Sequence, residues 1–169
     1  YYAATNLSDR LCAARLVVHQ GDNVHRAEVL EHFFDRWQSE NLVVNQWFVM
    51  QATRPSADCV SEVTALTLHA AFDWRNPNKV RSLISAFAGA NPTAFHALDG
   101  GGYRLLGDAV RRLQSDNPQI AARMLAPMTR WRRYDHGQVV MRGELESIAA
   151  LEGLSQDVYE VVSRSLSES

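Results

Sequence analysis

The sequence lacks the features that would place it in several broad classes of protein. Its formal net charge is only −2, which excludes a protein that holds nucleic acid through a large positive charge. No apolar run approaches the roughly 20 residues that a membrane-spanning helix needs, and nothing at the N-terminus has the pattern of a signal peptide. The sequence therefore predicts a cytoplasmic protein that binds neither nucleic acid nor membrane.

Cysteine is scarce as well. The chain has two, Cys12 and Cys59, and both stand within apolar helical patterns. Thiols in such positions are typical of reduced core residues in a cytosolic protein, and a disulfide framework would need more of them. We predict that both thiols are free and buried.

A recognisable catalytic centre is also missing. None of the six histidines belongs to a His-Glu-x-x-His set, and no Gly-x-Ser-x-Gly elbow is present. The glycines at 100–102 are not followed by the Lys-Ser/Thr of a phosphate-binding loop, so they predict a flexible loop that enters a helix. His25, Glu28 and His32 share a helical face, but their charged neighbours favour a solvated surface over a metal site. We predict no metal site and no catalytic residue in this chain.

What the sequence does contain is helical periodicity from end to end. Hydrophobic residues make up 46% and charged residues 21%, which is a globular balance. Apolar residues recur every three or four positions, as in Leu7, Leu11, Ala14 and Val18, and the two-residue alternation of a strand is absent. Residues 42–53 are apolar on more than one side, which indicates a helix buried between neighbours.

Helix starts repeat along the chain at a regular spacing. Asn76-Pro77 and Asn117-Pro118 each precede an amphipathic stretch, because Asn caps a helix and Pro fits its first position. Two earlier helices start near Ser8, which we predict to be a cap, and near Asn41. The four starts are spaced roughly 35 to 40 residues apart, which is the period of helix-pair solenoids. We predict an all-α superhelix, a solenoid-like stack of about eight or nine antiparallel helices. A compact helical bundle is the alternative.

The basic segment 130–134, Arg-Trp-Arg-Arg-Tyr, is the strongest candidate for contact with nucleic acid. Cations are also favoured at the C-terminus of a helix by the helix dipole, and this segment ends a predicted helix. Because the net charge of the chain is negative, we interpret the segment as a helix end.

Polar residues within otherwise apolar helices are the remaining candidates. Gln119 and Arg123 lie one helical turn apart, and Arg81 lies one turn into the helix that begins at Asn76-Pro77. Each arginine alone is typical of a snorkelling or salt-bridged side chain. In a solenoid, both arginines would lie on the same concave wall and give it positive charge.

Residues 76–96 closely resemble the C-terminal helical domain of bacterial aminopeptidase N. The stretch Asn-Pro-Asn-Lys-Val-Arg is specific, since it is not a general helical pattern. The likeness covers essentially the whole chain. Its other parts are Ala4-Thr5-Asn6, Ser8-Asp9-Arg10, Trp47-Phe48, Gln51-Ala52-Thr53, Asp99-Gly100 to Tyr103, Asn117-Pro118-Gln119, Ala122-Arg123, Arg133-Tyr134-Asp135 and Leu154-Ser155 to Tyr159.

The resemblance implies a function for the parent protein rather than for the chain alone. The family are zinc metalloaminopeptidases that remove N-terminal residues from peptides, and their zinc-binding helix and amine-binding segment are absent here. It implies that residues 1–169 form a single helical domain, the C-terminal part of a larger multidomain enzyme whose catalytic domain is its partner. The start at Tyr1 without a methionine fits a piece of a longer chain.

The resemblance also implies roles for individual residues. The domain would cap the active-site chamber and restrict and position peptide substrates, without catalytic residues of its own. Arg81, Arg123 and Gln119 match positions of the chamber wall that face the peptide. Zinc would be bound in the parent enzyme and not in this chain. The alternative function is a stand-alone helical-repeat module that binds a protein or peptide partner.

Overall fold

The computed structural model describes residues 1–167, and within that range its regular structure is entirely helical. The prediction of an all-α superhelix is confirmed. Residues 1–167 hold eleven α-helical segments: α1 (Leu7–Gln20), α2 (Asn23–Trp37), α3 (Asn41–Ala52), α4 (Cys59–Leu66), α5 (Pro77–Val80), α6 (Ala86–Ala90), α7 (Pro92–Phe95), α8 (Gly101–Leu113), α9 (Pro118–Met124), α10 (Gln138–Ala149) and α11 (Gln156–Ser167).

Two further helical elements lie between these α-helices. They divide longer helical runs, which explains why the segments outnumber the eight or nine helices expected. A π-helical turn, Arg81–Ser85, joins α5 to α6, so one continuous helical run is divided into three parts. A 3-10 helix, Met128–Arg133, follows α9. Pro127 stands directly before this 3-10 helix, and α9 ends at Met124 without continuing through the proline.

Helices that are close in sequence also pack together in space. α3 contacts α1, α2, α4 and the π turn, whereas α8 contacts α4, α7, α9 and α10. α11 packs on α9, α10 and the 3-10 helix at the end of the stack. Contacts between sequence neighbours are what a stack of helix pairs requires. No helix that the structure describes has both the length and the apolar character of a membrane span.

The buried apolar side chains form one core. α3 supplies much of it, because Val44, Phe48 and Met50 are buried together with the polar Asn45, as expected for a helix that is apolar on several sides. The apolar stripe predicted on α1 is buried only in the middle and at the end of the helix. Ala14 and Val18 are buried, but Leu7 is 41% exposed at the first position of the helix.

The two Asn-Pro pairs differ in whether the asparagine side chain caps its helix. Asn76 accepts a hydrogen bond from the backbone N–H of Asn78 at 3.0 Å, as predicted. Asn117 makes no such bond, so its predicted role as a side-chain cap is wrong. The first helix is capped by Asn6, whose Oδ1 accepts from the Asp9 N–H at 2.9 Å. Ser8 lies inside α1, which corrects the prediction that Ser8 is the cap.

The glycines at 100–102 are packed rather than flexible, which corrects the predicted flexible loop. Gly101 and Gly102 begin α8, and Gly100 precedes them with a positive φ of 69°. A Cβ atom on Gly102 would lie 2.5 Å from the carbonyl oxygen of Phe95 and 2.7 Å from its Cα. Only glycine lets α7 and α8 approach this closely.

The two thiols are free but differ in environment. Cys59 is buried at the start of α4, and its Sγ donates to the carbonyl oxygen of Gln51 at 3.4 Å. Cys12 is exposed on α1. The prediction of a core thiol is therefore right for Cys59 and wrong for Cys12, which lies on the solvent side of its helix.

Candidate functional site

Arg81 lies where α5 passes into the π turn. Asn76 caps this run and Pro77 starts it, while the Ser82 hydroxyl donates to the carbonyl oxygen of Asn78 at 2.6 Å and so competes with the regular helical bond. The guanidinium of Arg81 is exposed, and its Nη1 has one long contact, 3.4 Å, with Oδ1 of Asn78. Within residues 1–167 it forms no ion pair. Arg81 is therefore an exposed cation at the start of the π turn, with no ion-pair partner among the described residues.

Gln119 and Arg123 lie one turn apart on α9, as the sequence predicts. Both are exposed, while Ile120, Ala121 and Met124 on the other sides of the helix are buried. Arg123 has no ion-pair partner in the part of the chain that the structure describes. Burial of the apolar residues thus fixes the direction in which the amide and the guanidinium point, away from the core.

The structure brings the two helical runs together at their C-terminal ends. A cavity of about 360 Å³, here called the 88–134 cleft, is lined by Ala88 and Gly89 from the first run and by Ala126 and Pro127 after the second. Its remaining lining residues are Pro92, His96, Arg130 and Tyr134. Arg81 and Arg123 each lie on one of the two runs that meet at this cleft, but neither they nor Gln119 are among its lining residues.

The aromatic side of the 88–134 cleft was not predicted from sequence. His96 stacks on Tyr134 with ring centroids 4.3 Å apart and an angle of 25° between the rings. Nδ1 of His96 lies 2.9 Å from the hydroxyl of Tyr103, and burial lowers the pKa of His96. The cleft therefore combines a histidine that favours its neutral form with the cationic Arg130. A third Asn-Pro pair, at residues 91–92 just before His96, was the sequence signal that could have marked this region.

Lys79 is a second feature that sequence reasoning missed. Its side chain is only 4% exposed, and Nζ lies 5.6 Å from the centroid of the Phe48 ring. Burial lowers the pKa of Lys79, because removal from water disfavours the charged form. Two residues from the exposed Arg81, this cation faces the core, so the two basic residues of the Lys-Val-Arg stretch have different surroundings.

The candidate metal ligands on α2 do not converge. His25 Nδ1 lies 2.6 Å from the Asp22 carboxylate, which raises the pKa of the exposed His25. His32 instead contacts the hydroxyl of Tyr1 at 2.8 Å. Among residues 1–167 no group of three or more His, Cys, Asp or Glu side chains is placed to hold a metal ion.

Comparison with known proteins gives a consistent set of relatives. A family model described as "domain of unknown function (DUF3458_C) ARM repeats" matches residues 1–167. Aminopeptidase N of Escherichia coli (strain K12) is 41% identical over 98% of the chain. The corresponding values are 39% over 98% for aminopeptidase N of Haemophilus influenzae and 40% over 97% for that of Caulobacter vibrioides. The chain spans 19% of the length of each of these relatives.

A solved structure shows the same fold. The crystal structure of Legionella pneumophila aminopeptidase A in complex with aspartic acid matches with a TM-score of 0.88 at 33% sequence identity. The match covers 96% of this chain and 19% of that chain. The helical stack is therefore shared with one part of a much longer polypeptide.

Proposed function

Because the chain belongs to the family described as a domain of unknown function with ARM repeats (DUF3458_C), we propose that it serves as the C-terminal domain of a zinc-dependent aminopeptidase N. That enzyme removes N-terminal amino acids from peptides. Residues 1–169 form one domain of it and have its catalytic domain, in the same polypeptide, as their partner. Identity of 39–41% to three aminopeptidase N chains over 97–98% of this chain supports the proposal.

The role of this domain is to cap the active-site chamber and to restrict and position the peptide. A wall of stacked helices keeps out folded proteins and limits the length of the substrate. One observation carries this role: Arg81 and Arg123 are exposed on two helical runs and have no ion-pair partner among the described residues. A cation so placed attracts the C-terminal carboxylate of a peptide, most strongly where water is excluded. Gln119, one turn from Arg123, adds a neutral hydrogen-bonding group.

The chain itself takes no part in bond cleavage under this proposal. Arginine is protonated at all ordinary pH values and cannot act as a general base. Residues 1–167 offer no set of side chains that fits a zinc ion, so the metal is held by the catalytic domain. We place the enzyme in the cytoplasm and expect no nucleic acid or membrane among its partners.

The experiment compares two substrates in the full-length enzyme. Arg81→Gln and Arg123→Gln should each raise KM for a tetrapeptide about tenfold, the effect of losing one hydrogen bond to a charged group. Turnover of a small alanyl-anilide substrate, which has no distal carboxylate, should change less than about twofold.

Arg15→Gln is the matched control, because it removes the same charge from an exposed residue of α1. It should leave both substrates unaffected. Equal losses on the peptide and on the anilide in the Arg81 and Arg123 variants would contradict a role in the chamber wall.

The isolated chain should bind no stoichiometric zinc and show no hydrolysis. Turnover of that chain that a chelator abolishes would overturn the claim that it has no catalytic centre.

A further inference from the structure

A groove of about 810 Å³ runs between the 3-10 helix Met128–Arg133 and α11. We call it the arginine groove, because Arg130, Arg132, Arg133 and Arg164 line it. Among the lining residues that the structure describes, Glu160 is the one acidic residue. The groove therefore carries three more positive than negative charges, whereas the chain as a whole has a net charge of −2.

One of the four arginines has a structural role. Arg132 donates to the carbonyl oxygens of Ser165 at 2.6 Å and Leu166 at 3.2 Å, and its guanidinium lies 4.0 Å from the centroid of the Trp131 ring. These contacts satisfy backbone groups at the C-terminal end of α11. Arg132 is thus used in holding the last helix to the stack.

The other three arginines are not used in this way. Arg130, Arg133 and Arg164 make no ion pair and no side-chain hydrogen bond with residues 1–167. The Glu160 carboxylate accepts a hydrogen bond from Gln156 at 3.0 Å. The C-terminal ends of the 3-10 helix and of α11 each carry a partial negative charge, and together they offset roughly one positive charge. An excess of about two positive charges remains in a concave surface, where the field is focused.

The geometry points to an occupant that carries several carboxylates. We propose that the arginine groove docks an acidic segment of the parent polypeptide, with its Asp or Glu side chains paired to Arg130, Arg133 and Arg164. Guanidinium groups bind carboxylates through two parallel hydrogen bonds. Tyr159, which is 54% exposed at the groove, offers a flat surface for the segment to lie against.

Two observations favour a segment of the same polypeptide over nucleic acid. Specific nucleic-acid binding spreads over many phosphate contacts on an extended basic surface. Here, by contrast, the three arginines that make no ion pair with residues 1–167 are confined to one groove of an acidic chain. The chain also spans only 19% of its aminopeptidase N relatives, so most of such a parent polypeptide lies outside it. A segment in the same chain has a high effective concentration and needs little affinity of its own. The inference rests on the proposal that a larger enzyme contains this chain, but not on the roles of Arg81 and Arg123.

The first experiment measures binding of a fluorescent hexaglutamate peptide to the 169-residue chain at low ionic strength. Binding should be detectable and should weaken with added salt. The triple variant Arg130→Gln, Arg133→Gln, Arg164→Gln should raise Kd about tenfold or more. Arg15→Gln, which removes a charge outside the groove, should leave Kd unchanged, and circular dichroism checks that every variant is folded.

The second experiment repeats the measurement with the full-length parent. Hexaglutamate should bind it at least tenfold more weakly than it binds the isolated chain, because the parent's own segment occupies the groove. Equal binding to both proteins would overturn the proposal, as would no binding to either or an unchanged Kd in the triple variant. A single-stranded oligonucleotide of equal charge that binds more tightly than the peptide would assign the groove to nucleic acid instead. If inorganic phosphate at an equal concentration fully displaced hexaglutamate, the groove would be a site for small anions and the proposal would be wrong. Peptide kinetics in the parent, which test the proposed function, are a separate measurement.

Discussion

The side-chain amide nitrogen of Asn91 lies 3.0 Å from the carbonyl oxygen of Ala52, thirty-nine positions earlier in the chain. The same nitrogen lies 2.7 Å from the carbonyl oxygen of Arg54 and 3.2 Å from Sγ of Cys59. Oδ1 of Asn91 accepts from the N–H of Ala94 at 3.2 Å and so caps α7. One side chain, 1% exposed, therefore joins the end of α3 to α7.

Replacement of Asn91 by alanine should lower the free energy of unfolding by about 2–4 kcal/mol. The substitution removes a helix cap and two long-range hydrogen bonds to the carbonyl oxygens of Ala52 and Arg54. Among residues 1–167, the carbonyl oxygen of Ala52 then keeps only the Cys59 thiol at 3.5 Å as a donor, while that of Arg54 keeps the N–H of Ser56 at 2.9 Å. Asn117→Ala is the matched control, since Asn117 also precedes a proline but makes no side-chain cap bond, and it should cost under about 0.5 kcal/mol. Urea unfolding of both variants checks the difference, and similar losses would contradict it.

The Asn-Pro pairs show how far the sequence determines the fold. The start of a helical run is a local property, so the pairs at 76–77 and 117–118 predict it correctly. The π turn Arg81–Ser85 and the 3-10 helix Met128–Arg133 were not predicted. Whether the Asn side chain caps its helix depends on the backbone around it, and it does so at Asn76 but not at Asn117. The long-range bonds of Asn91 could not be predicted, because they need α3 to be in place.

The candidate site was predictable to a similar degree. Periodicity correctly leaves Arg81, Gln119 and Arg123 exposed, since apolar neighbours take the buried sides of their helices. It could not distinguish Lys79, which is buried against Phe48, from Arg81. The 88–134 cleft was missed because His96 and Tyr134 are far apart in sequence and meet only when the helices stack.

The close approach of α7 and α8 gives a second prediction. Gly102→Ala should lower the free energy of unfolding by about 1–3 kcal/mol, because the new Cβ would meet the backbone of Phe95, which cannot move aside alone. Gly143→Ala should have the opposite sign. Gly143 lies inside α10 with nothing within 4 Å of an added Cβ, so alanine should stabilise by about 0.4–1 kcal/mol. Thermal unfolding of the two variants measures both signs, and a stable Gly102→Ala protein would show that α7 and α8 can separate at little cost.

The two thiols should differ in chemical reactivity. Burial raises the pKa of Cys59 to about 11, so almost none of it is thiolate at about pH 8, and the thiolate is the nucleophile. Cys12 is exposed. Brief treatment with iodoacetamide should therefore alkylate Cys12 alone, and Cys59 should react only after denaturation. Peptide mass spectrometry reads both sites, with Cys12→Ser as the control that removes the fast reaction. Equal rates at the two cysteines in the folded protein would contradict the buried position of Cys59.

Three partly buried histidines should make the free energy of unfolding depend on pH. Burial is the largest cause of the lowered pKa of His19, His69 and His96. Below about pH 6.5, the ordinary histidine pKa, the unfolded chain takes up protons that the folded chain resists. The free energy of unfolding should therefore fall as the pH falls from about 7 towards 5, by at most about 1.4 kcal/mol per pH unit for each histidine. His25 acts in the opposite sense, because Asp22 raises its pKa and its contribution is lost as the pH rises.

His96 is the histidine whose contribution can be isolated, because its imidazole is held between Tyr103 and Tyr134. His96→Gln should lower stability at neutral pH, since it loses the stacking on Tyr134, but it should also make the fall between about pH 7 and 5 shallower. His136→Gln changes an exposed histidine and is the matched control. Urea unfolding at several pH values gives the slope for each protein. An unchanged or steeper slope in His96→Gln would mean that the folded chain protonates His96 as easily as the unfolded chain does, which its burial argues against.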